Sequence, residues 1–291
     1  GYSTGDNNRN VTVSHHHRLN DSFAFSAGGY YVGTDGFFKN DLTGKKVDGI
    51  QTVGGRLRGI YKANDRLAMD LSLNYEYCDE GAYPYYYAGS LTEKEPYADY
   101  VGKISNNNES RYRRNMLNTG LNISYDLGEI EIRSVTSFQN LCDRMFQDQD
   151  FLPRDIYTMV QRQRINTLTE EVTARSKHGA IWNWVGGLNV TKQWLRTEGP
   201  VTFGKDGVAM LEQNINSVLP ENPPMSINFR GENLRMGGIF ETPMLNIGVF
   251  HQSVFNITKA LSLTAGIRLD YEKNSINYDT SSSVDYGFSM P

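Results

Sequence analysis

Two clusters of side chains suited to ligand recognition flank a long polar segment at residues 79–112. They comprise four tyrosines and three arginines: Tyr83, Tyr85, Tyr86, Tyr87, Arg111, Arg113 and Arg114. Tyrosine offers rigid apolar area with a polar tip, and a guanidinium group can hold an anion through two parallel hydrogen bonds. The clusters therefore predict a site for an anionic ligand such as a metal chelate. The sequence leaves one alternative open, in which the tyrosines pack the loop and the arginines are rim charges.

No arrangement of residues in the sequence indicates catalysis. It contains no Ser–His–Asp set and no glycine-rich phosphate loop, so we expect neither enzymatic activity nor a cofactor. Only His15 and His17 of the three consecutive histidines would share a strand face, so we expect no metal site. Cys78 and Cys142 lack metal-ligand spacing and form no disulfide framework. The net charge of -4 argues against a nucleic-acid partner.

The segments that must position these residues alternate with a period of two. Between Arg66 and Tyr77, one face receives only apolar and aromatic side chains: Leu67, Met69, Leu71, Leu73, Tyr75 and Tyr77. The other face receives small, polar and charged side chains: Ala68, Asp70, Ser72, Asn74 and Glu76. A helix would place Asp70 and Asn74 on the same stripe as Leu67 and Leu71, so the pattern predicts a β-strand.

Ten such strands are predicted, and the connections between them alternate in length. The strands cover residues 10–19, 22–34, 48–62, 66–78, 113–126, 129–147, 156–176, 181–196, 245–257 and 261–276. Tight turns lie at Asn20-Asp21, Asn64-Asp65, Leu127-Gly128, Lys177-His178-Gly179 and Thr258-Lys259, and long polar connections lie at 35–47, 79–112, 149–155, 197–244 and from 277 onward. Short turns at one end and long loops at the other are typical of an antiparallel transmembrane β-barrel with short periplasmic turns and long extracellular loops.

In such a barrel, the two faces of each strand would contact different surroundings. The apolar face would contact lipid, with Trp182 and Trp184 in an interfacial aromatic girdle. The polar face would line a lumen or contact a folded plug, and its charged residues include Arg56, Arg58, Asp70, Glu76, Arg133 and Arg268. Glu170 departs from this pattern because it shares its parity with Leu168 and Val172. Either a bulge shifts the register there or the carboxylate lies near an interface.

A series of segments along the chain carries a resemblance to one known family: Gly28-Gly29-Tyr30-Tyr31, Gly54-Gly55-Arg56-Leu57-Arg58, Tyr75-Glu76-Tyr77 with Gly81-Ala82-Tyr83-Pro84, Ser134-Val135-Thr136-Ser137-Phe138, Thr169-Glu170-Glu171-Val172, and the pair that begins at Phe250 and Leu261. They resemble the early strands, the strand pair after the second long loop and the mid-barrel hairpin of TonB-dependent outer-membrane receptors, and the ferric-siderophore, pesticin-receptor-like branch is the most similar. The resemblance implies about ten strands of a 22-stranded barrel. It also implies uptake of a ferric siderophore or a similar scarce nutrient, energised by TonB.

The resemblance also implies what lies around residues 1–291. We find neither a plug domain nor a TonB box in them, so we expect a partial barrel domain in which ten strands form an open curved sheet or close artificially. Outer-membrane lipid and lipopolysaccharide are expected partners, and the expected location is the outer membrane of a Gram-negative bacterium. Two other functions remain open, namely a passive porin-like channel and a secreted β-rich adhesin.

Overall fold

The computed structural model describes residues 1–81, 83–90, 96–177, 181–221 and 224–290. Its ten long strands are β2 (Asn8–Arg18), β3 (Phe23–Thr34), β4 (Ile50–Lys62), β5 (Leu67–Gly81), β6 (Arg111–Asp126), β7 (Ile130–Asp148), β8 (Tyr157–Ser176), β9 (Trp182–Glu198), β13 (Met244–Thr258) and β14 (Leu261–Asn274). The shorter elements are β1 (Tyr2–Ser3), β10 (Val201–Phe203), β11 (Ser226–Phe229), β12 (Leu234–Glu241), β15 (Asn277–Ser283), β16 (Tyr286–Ser289), the helix α1 (Lys205–Asn216) and a 3-10 turn at Ala98–Tyr100. No helix in these ranges is long and apolar enough to cross a membrane.

The long strands form one antiparallel meander, in which each strand pairs with the next long strand along the chain. The sheet begins at β1 and β2 and ends at β14, and no pairing among the described residues joins these two edges. The sheet is therefore open, which is the first of the two arrangements that the sequence predicted. All ten predicted strands are present, with ends that differ from the prediction by at most a few residues.

Side chains that accept hydrogen bonds from the backbone build the tight turns. Asn20 Oδ1 accepts from the amides of Ser22 and Phe23 at 2.9 and 2.8 Å. Asn64 Oδ1 does the same for Arg66 and Leu67 at 2.9 and 3.0 Å. These local bonds replace the backbone pairing that a chain reversal loses, which is why Asn, Asp and Thr recur at this end of the sheet.

The predicted turns at Leu127-Gly128 and Thr258-Lys259 follow the same principle. Gly128 adopts a positive φ of 92°, and its amide donates to Asp126 Oδ1 at 2.8 Å. Thr258 Oγ1 accepts from the amide of Leu261 at 3.0 Å. The predicted turn at Lys177-His178-Gly179 includes residues 178 and 179, which lie outside the described ranges.

The strand registers define two faces of the sheet. One face, here called the outward face, carries the apolar members of each strand, as in the directly paired Leu57 and Leu73, Leu71 and Leu121, and Val249 and Leu269. Leu71 and Leu269 are 45% and 69% exposed on it. The opposite, inward face bounds a cavity of about 340 Å³ whose lining includes Tyr30, Arg56 and Asn74. An apolar face this exposed needs lipid or protein against it.

Glu170 lies on the outward face without a bulge. The pairing of β7 with β8 is continuous from Ile130 and Ser176 to Asp148 and Thr158, so the first of the two predicted explanations is wrong. The hydroxyls of Ser134 and Thr136 instead donate to the Glu170 carboxylate at 2.6 and 2.5 Å. Two hydroxyl groups on the same face therefore stabilise the Glu170 carboxylate on the apolar outward face.

Two of the predicted long connections contain regular structure that the sequence pattern did not indicate. Within 197–244, β10 pairs with β8 and β12, and β12 also pairs with β9 and β15. Beyond 277, β15 pairs with β12 in the main sheet, and β16 pairs with β11 in a separate two-stranded sheet. The strand predicted at 261–276 ends at Asn274, and β15 begins at Asn277. The long connections therefore extend the sheet beyond the ten main strands.

Candidate ligand-recognition site

The three arginines predicted to act together lie on opposite faces of the sheet. Arg111 and Arg113 pair with Gly81 and Asp79 on the outward face, whereas Arg114 pairs with Cys78 on the inward face. Alternate residues of a strand point to opposite sides, so Arg113 and Arg114 cannot converge on one ligand. The prediction that all three belong to one site is therefore wrong in its geometry.

Arg114 belongs to a polar cluster on the inward face near the loop end of the strands. Its Nη2 donates to Glu76 Oε1 at 2.6 Å, and the Tyr30 hydroxyl donates to Glu76 Oε2 at 2.6 Å. The Arg56 guanidinium lies over the Tyr30 ring at 5.5 Å. Arg114 Nε is buried and has no hydrogen-bond partner within the described residues. This nitrogen is a donor without an acceptor among the described residues, and leaving a buried donor unpaired is costly.

Tyr112 and Asp143 extend this cluster toward the loops, and no local sequence pattern indicates either of them as a site residue. Tyr112 and Arg114 share the inward face of β6, and Asp143 lies directly opposite Arg114 on β7. The Tyr112 hydroxyl donates to Asp143 Oδ2 at 3.0 Å. Burial and the Asp143 charge raise the pKa of Tyr112 to about 12, so the phenol keeps its proton. We call Tyr30, Arg56, Glu76, Tyr112, Arg114 and Asp143 the mouth cluster.

The predicted tyrosines form a packed loop at the end of the strands. Tyr83 has a positive φ of 65° and stacks on Tyr85 with ring centroids 5.6 Å apart. Tyr85 meets the Phe151 ring edge-on at 5.8 Å, and Tyr87 meets Tyr97 edge-on at 5.9 Å. Tyr86 is 54% exposed. Tyr83, Tyr85 and Tyr87 thus make ring contacts that hold the loop together, and Tyr86, like the half-exposed Tyr85, presents its ring to the surroundings.

A larger cavity of about 730 Å³ lies on the outward side, where the 35–47 connection folds against the sheet. A Cβ on Gly81 would lie 2.2 Å from the carbonyl oxygen of Val47, so only glycine permits this approach. Basic residues from the loop and the strands line this cavity together with Tyr83: Lys45, Lys46, Arg111, Arg113 and Arg144. Arg111 donates to Asp79 at 2.6 Å and holds the pKa of that carboxyl below its usual range.

Two acidic side chains organise the adjoining 149–156 loop. Asp150 accepts from the amides of Leu152, Ile156 and Tyr157 at 2.9 to 3.1 Å. Asp148 is completely buried; one of its oxygens accepts from the Asn108 amide at 3.1 Å and the other has no partner within the described residues. Burial, followed by the nearby Asp150 charge, raises the pKa of Asp148 to about 7. Asp148 thus ties this loop to the 79–112 connection.

The start of α1 docks on the same loop. Asp206 accepts from the Arg154 guanidinium and the Asp155 amide, both at 3.1 Å, and Asp155 accepts from the Lys205 amide at 3.1 Å. The Asp155 amide and Arg154 hold the pKa of Asp206 below its ordinary value. The connections 79–112, 149–156 and 197–244 are therefore joined into one assembly above the mouth cluster.

The six predicted lumen-facing residues share the inward face. Arg58 Nη2 contacts Asp70 Oδ2 at 2.5 Å, and Arg268 Nη2 contacts Asp270 Oδ1 at 2.7 Å. Arg133 contacts Glu131 at 3.4 Å. Arg56 and Glu76 belong to the mouth cluster. Most of these charges are therefore neutralised within the sheet itself.

The three histidines divide between the faces as the strand period predicts. His15 and His17 lie on the outward face and stack 5.8 Å apart, with Phe25 6.0 and 5.9 Å from them, and His16 lines a cavity on the inward face. Within the described ranges, no three His, Cys, Asp or Glu side chains come together as metal ligands.

The outward face also carries the predicted aromatic girdle near the tight turns. Trp182 and Phe255 stack with centroids 6.2 Å apart, and Trp182 Nε1 donates to Ser253 Oγ at 3.0 Å. Trp184 stacks on His251 at 6.4 Å, and His251 is also hydrogen-bonded to Ser253. Amphipathic rings in such a row are typical of a membrane interface.

Comparison with solved structures shows that the described strands have the fold of outer-membrane β-barrel proteins. The ferric yersiniabactin uptake receptor FyuA from Yersinia pestis superposes with a TM-score of 0.68 and 15% identity over 97% of this chain and 41% of that receptor. The outer-membrane transporter YddB from Escherichia coli superposes with a TM-score of 0.52 and 13% identity over 95% of this chain and 35% of the transporter. The siderophore receptor PiuA from Acinetobacter baumannii superposes with a TM-score of 0.51 and 10% identity over 94% of this chain and 45% of that receptor.

The resemblance seen in the sequence is therefore confirmed for the fold. These three proteins are an uptake receptor, a siderophore receptor and an outer-membrane transporter, and the likeness to them, at 10 to 15% identity, concerns the fold alone. The chain spans less than half of each of these three proteins. No protein-family model and no curated protein matches the sequence.

Proposed function

We propose that this chain is part of the barrel of an outer-membrane receptor that takes up an anionic iron–siderophore complex. The observation that carries the proposal is the mouth cluster, which places Arg114 with an unpaired donor on the inward face below a joined set of loops. In a barrel this face borders the transport path, because the apolar outward face must contact lipid. The uptake receptors FyuA and PiuA share the fold, which supports the proposed class of function.

The proposal assigns a role to each part of the site. Arg114 binds an acidic group of the chelate, since guanidinium–carboxylate bonds are strong and directional. Tyr86 provides an exposed ring at the loop surface, and Tyr83, Tyr85 and Tyr87 hold that loop in shape. Residues 1–291 are one part of the barrel domain, and a plug and the remaining strands complete the receptor. TonB supplies energy through a segment outside this chain.

Growth and uptake experiments on the full-length receptor test the transport proposal. A strain that lacks the gene is supplied with single iron sources, and uptake of radioactive iron is followed with and without TonB. We expect loss of growth on one class of siderophore and loss of uptake without TonB. Uptake that continues without TonB would favour a passive porin-like channel. A full-length product that is soluble without detergent would favour a secreted adhesin.

A matched pair of variants tests the site. Arg114→Gln should weaken binding of the identified chelate about ten-fold, because one charge-assisted contact is lost. Arg113→Gln makes the same change one residue earlier, on the outward face, and should leave chelate affinity unchanged. Equal losses in both variants would contradict the assignment of the mouth cluster. Binding is measured on purified receptor by quenching of its tryptophan fluorescence.

A further inference from the structure

Two buried carboxylates lie close together where the end of β7 and the 149–156 loop meet the 79–112 connection. Asp148 is completely buried, and Asp150 is 8% exposed. Burial raises the pKa of both carboxyls, and the Asp150 charge adds to the effect on Asp148. Neither carboxylate forms an ion pair with an arginine or a lysine within the described residues. Buried charges in proteins are ordinarily paired or coordinate a metal, and this pair has no counter-charge of its own.

An unpaired amide oxygen belongs to the segment that packs against these carboxylates. The amide of Asn108 donates to Asp148 Oδ2 at 3.1 Å, and the amide of Asn107 donates to the Leu152 carbonyl oxygen at 3.3 Å. The preceding residue, Asn106, is 6% exposed, and its Oδ1 is buried without a hydrogen-bond partner among the described residues, as is Asp148 Oδ1. Buried acceptors are rarely left unpaired in native proteins, so both oxygen atoms require an explanation.

We call Asn106, Asp148 and Asp150 the loop junction, and hydrogen bonds from the surrounding connections hold these residues in place. Asn40 Nδ2 donates to the Asn106 carbonyl oxygen at 2.7 Å, and the Asp148 amide donates to Ser110 Oγ at 3.1 Å. Three amides of its own loop orient the Asp150 carboxylate. The fold therefore fixes the junction before any ligand binds, which lowers the entropic cost of binding.

We propose that the loop junction binds a divalent cation of the Ca²⁺ type. Ca²⁺ takes about six to eight oxygen ligands from carboxylates, side-chain amides and backbone carbonyls, and the junction consists of two carboxylates and one amide. The two positive charges of the ion match the two carboxylates, and the ion gives Asn106 Oδ1 and Asp148 Oδ1 a partner. Such a shell does not require three acidic, histidine or cysteine side chains, which the described residues do not bring together. The proposal holds whichever ligand the receptor transports.

A cation at the loop junction cross-links two connections. Asn106 lies in the 79–112 connection, whereas Asp148 ends β7 and Asp150 lies in the loop that follows it. An ion that binds only the joined loops stabilises them by mass action, so the amides that bond across the junction should exchange more slowly when it is bound. In the cation-free protein the two carboxyls keep their raised pKa, and the pH dependence of the 149–156 loop is a property of that state.

Binding is tested on the full-length receptor, refolded in detergent without lipopolysaccharide, whose phosphates bind cations themselves. Tb³⁺ serves as the probe, its luminescence is excited through nearby tyrosines, and Ca²⁺ is added as the competitor. Asp148→Asn should weaken binding of both ions about ten-fold, because one anionic ligand is lost. Glu109→Gln removes the charge of an exposed carboxylate that pairs with Lys45 and should leave binding unchanged. Absence of competition by Ca²⁺, or equal affinities of the two variants, would overturn the proposal.

A variant that gains affinity and a measurement on the unmodified receptor prevent a folding defect from deciding the result. Asn106→Asp adds a third carboxylate to the loop junction and should strengthen Ca²⁺ binding about ten-fold, which misfolding cannot produce. In the unmodified receptor, Ca²⁺ should slow hydrogen exchange of the Asn107 and Asn108 amides relative to the same protein in EDTA. Equal exchange with Ca²⁺ and with EDTA, or unchanged or weaker binding in Asn106→Asp, would overturn the proposal.

Discussion

Arginines on the two faces of the sheet are neutralised in different ways. On the inward face, Arg58, Arg114 and Arg268 each have a carboxylate of their own in contact. On the outward face, Arg111 and Arg113 share Asp79, and Arg144 and Arg164 form no ion pair among the described residues. The inward charges are therefore largely neutralised by neighbouring side chains, whereas the outward charges depend on what surrounds the protein. A charge added to one face should therefore behave differently from the same charge added to the other.

The largest expected effect comes from placing a charge on the apolar band. Leu188→Arg puts a cation near the middle of β9 on the outward face and should destabilise the barrel by about 2–4 kcal/mol in a bilayer. Asn189→Arg, one residue later, faces inward opposite Glu171 and should be tolerated. The measurement is the free energy of unfolding of the full-length receptor in lipid vesicles. Equal destabilisation by both variants would contradict the assignment of the faces.

A smaller effect is expected where the outward face already contains a charge. Ser134→Ala/Thr136→Val removes both hydroxyls that donate to Glu170, and leaving this carboxylate unpaired should cost about 1–3 kcal/mol. Glu170→Gln keeps an acceptor for one hydroxyl and removes the charge, so it should be nearly neutral. The same unfolding measurement compares the two. A larger loss in Glu170→Gln than in the double variant would show that the carboxylate itself is needed.

The smallest effect is local and depends on pH. Asp148 has its pKa raised above the ordinary value, to about 7, by burial, so the folded loop favours its neutral form. Its contribution is therefore most favourable below about pH 4 and is lost as the pH rises toward 7 and beyond. Asp148→Asn should reduce this dependence to the part that comes from Asp150, whose pKa burial also raises, and should increase protection of the 149–156 loop at neutral pH by about ten-fold.

Hydrogen exchange of the loop amides between pH 5 and 8 tests this prediction, after correction for the intrinsic exchange rates. Glu109→Gln, in the adjoining connection, changes an exposed carboxylate paired with Lys45 and should leave the pH dependence in place. Unchanged pH dependence in Asp148→Asn would contradict the account of the buried carboxyl.

Much of the fold could be predicted because the alternation of apolar and polar residues within each long strand indicates which side chains share a face. The alternation from Leu67 to Tyr77 identifies strand β5 and both of its faces without any information about its neighbours. The turn at Asn64 is equally local. The helix at Lys205–Asn216 and the strands β10 and β12 were missed because their stability comes from contacts with β8, β9 and the 149–156 loop, and no periodicity within the segment indicates those contacts.

The candidate site could be predicted only in part. The opposite orientation of Arg113 and Arg114 follows from strand parity, so that signal was present in the sequence. The contact of Tyr112 with Asp143 depends on the register between β6 and β7, which no residue in either strand specifies alone. The burial of Asp148 depends on how two distant loops meet. Local sequence patterns thus predict which face of the sheet a side chain occupies. Its contacts across strands and loops can be seen only in the assembled structure.

The assignment of lipid to one face and water to the other can be tested most directly on β5. In the full-length receptor, with Cys78 and Cys142 replaced by serine, single spin labels are placed at each position from 67 to 77 in reconstituted bilayers. Collision with oxygen reports lipid, and collision with a nickel chelate reports water. We predict that oxygen accessibility peaks at the odd positions and nickel accessibility at the even positions. Accessibility without this alternation, or with the opposite phase, would contradict the account.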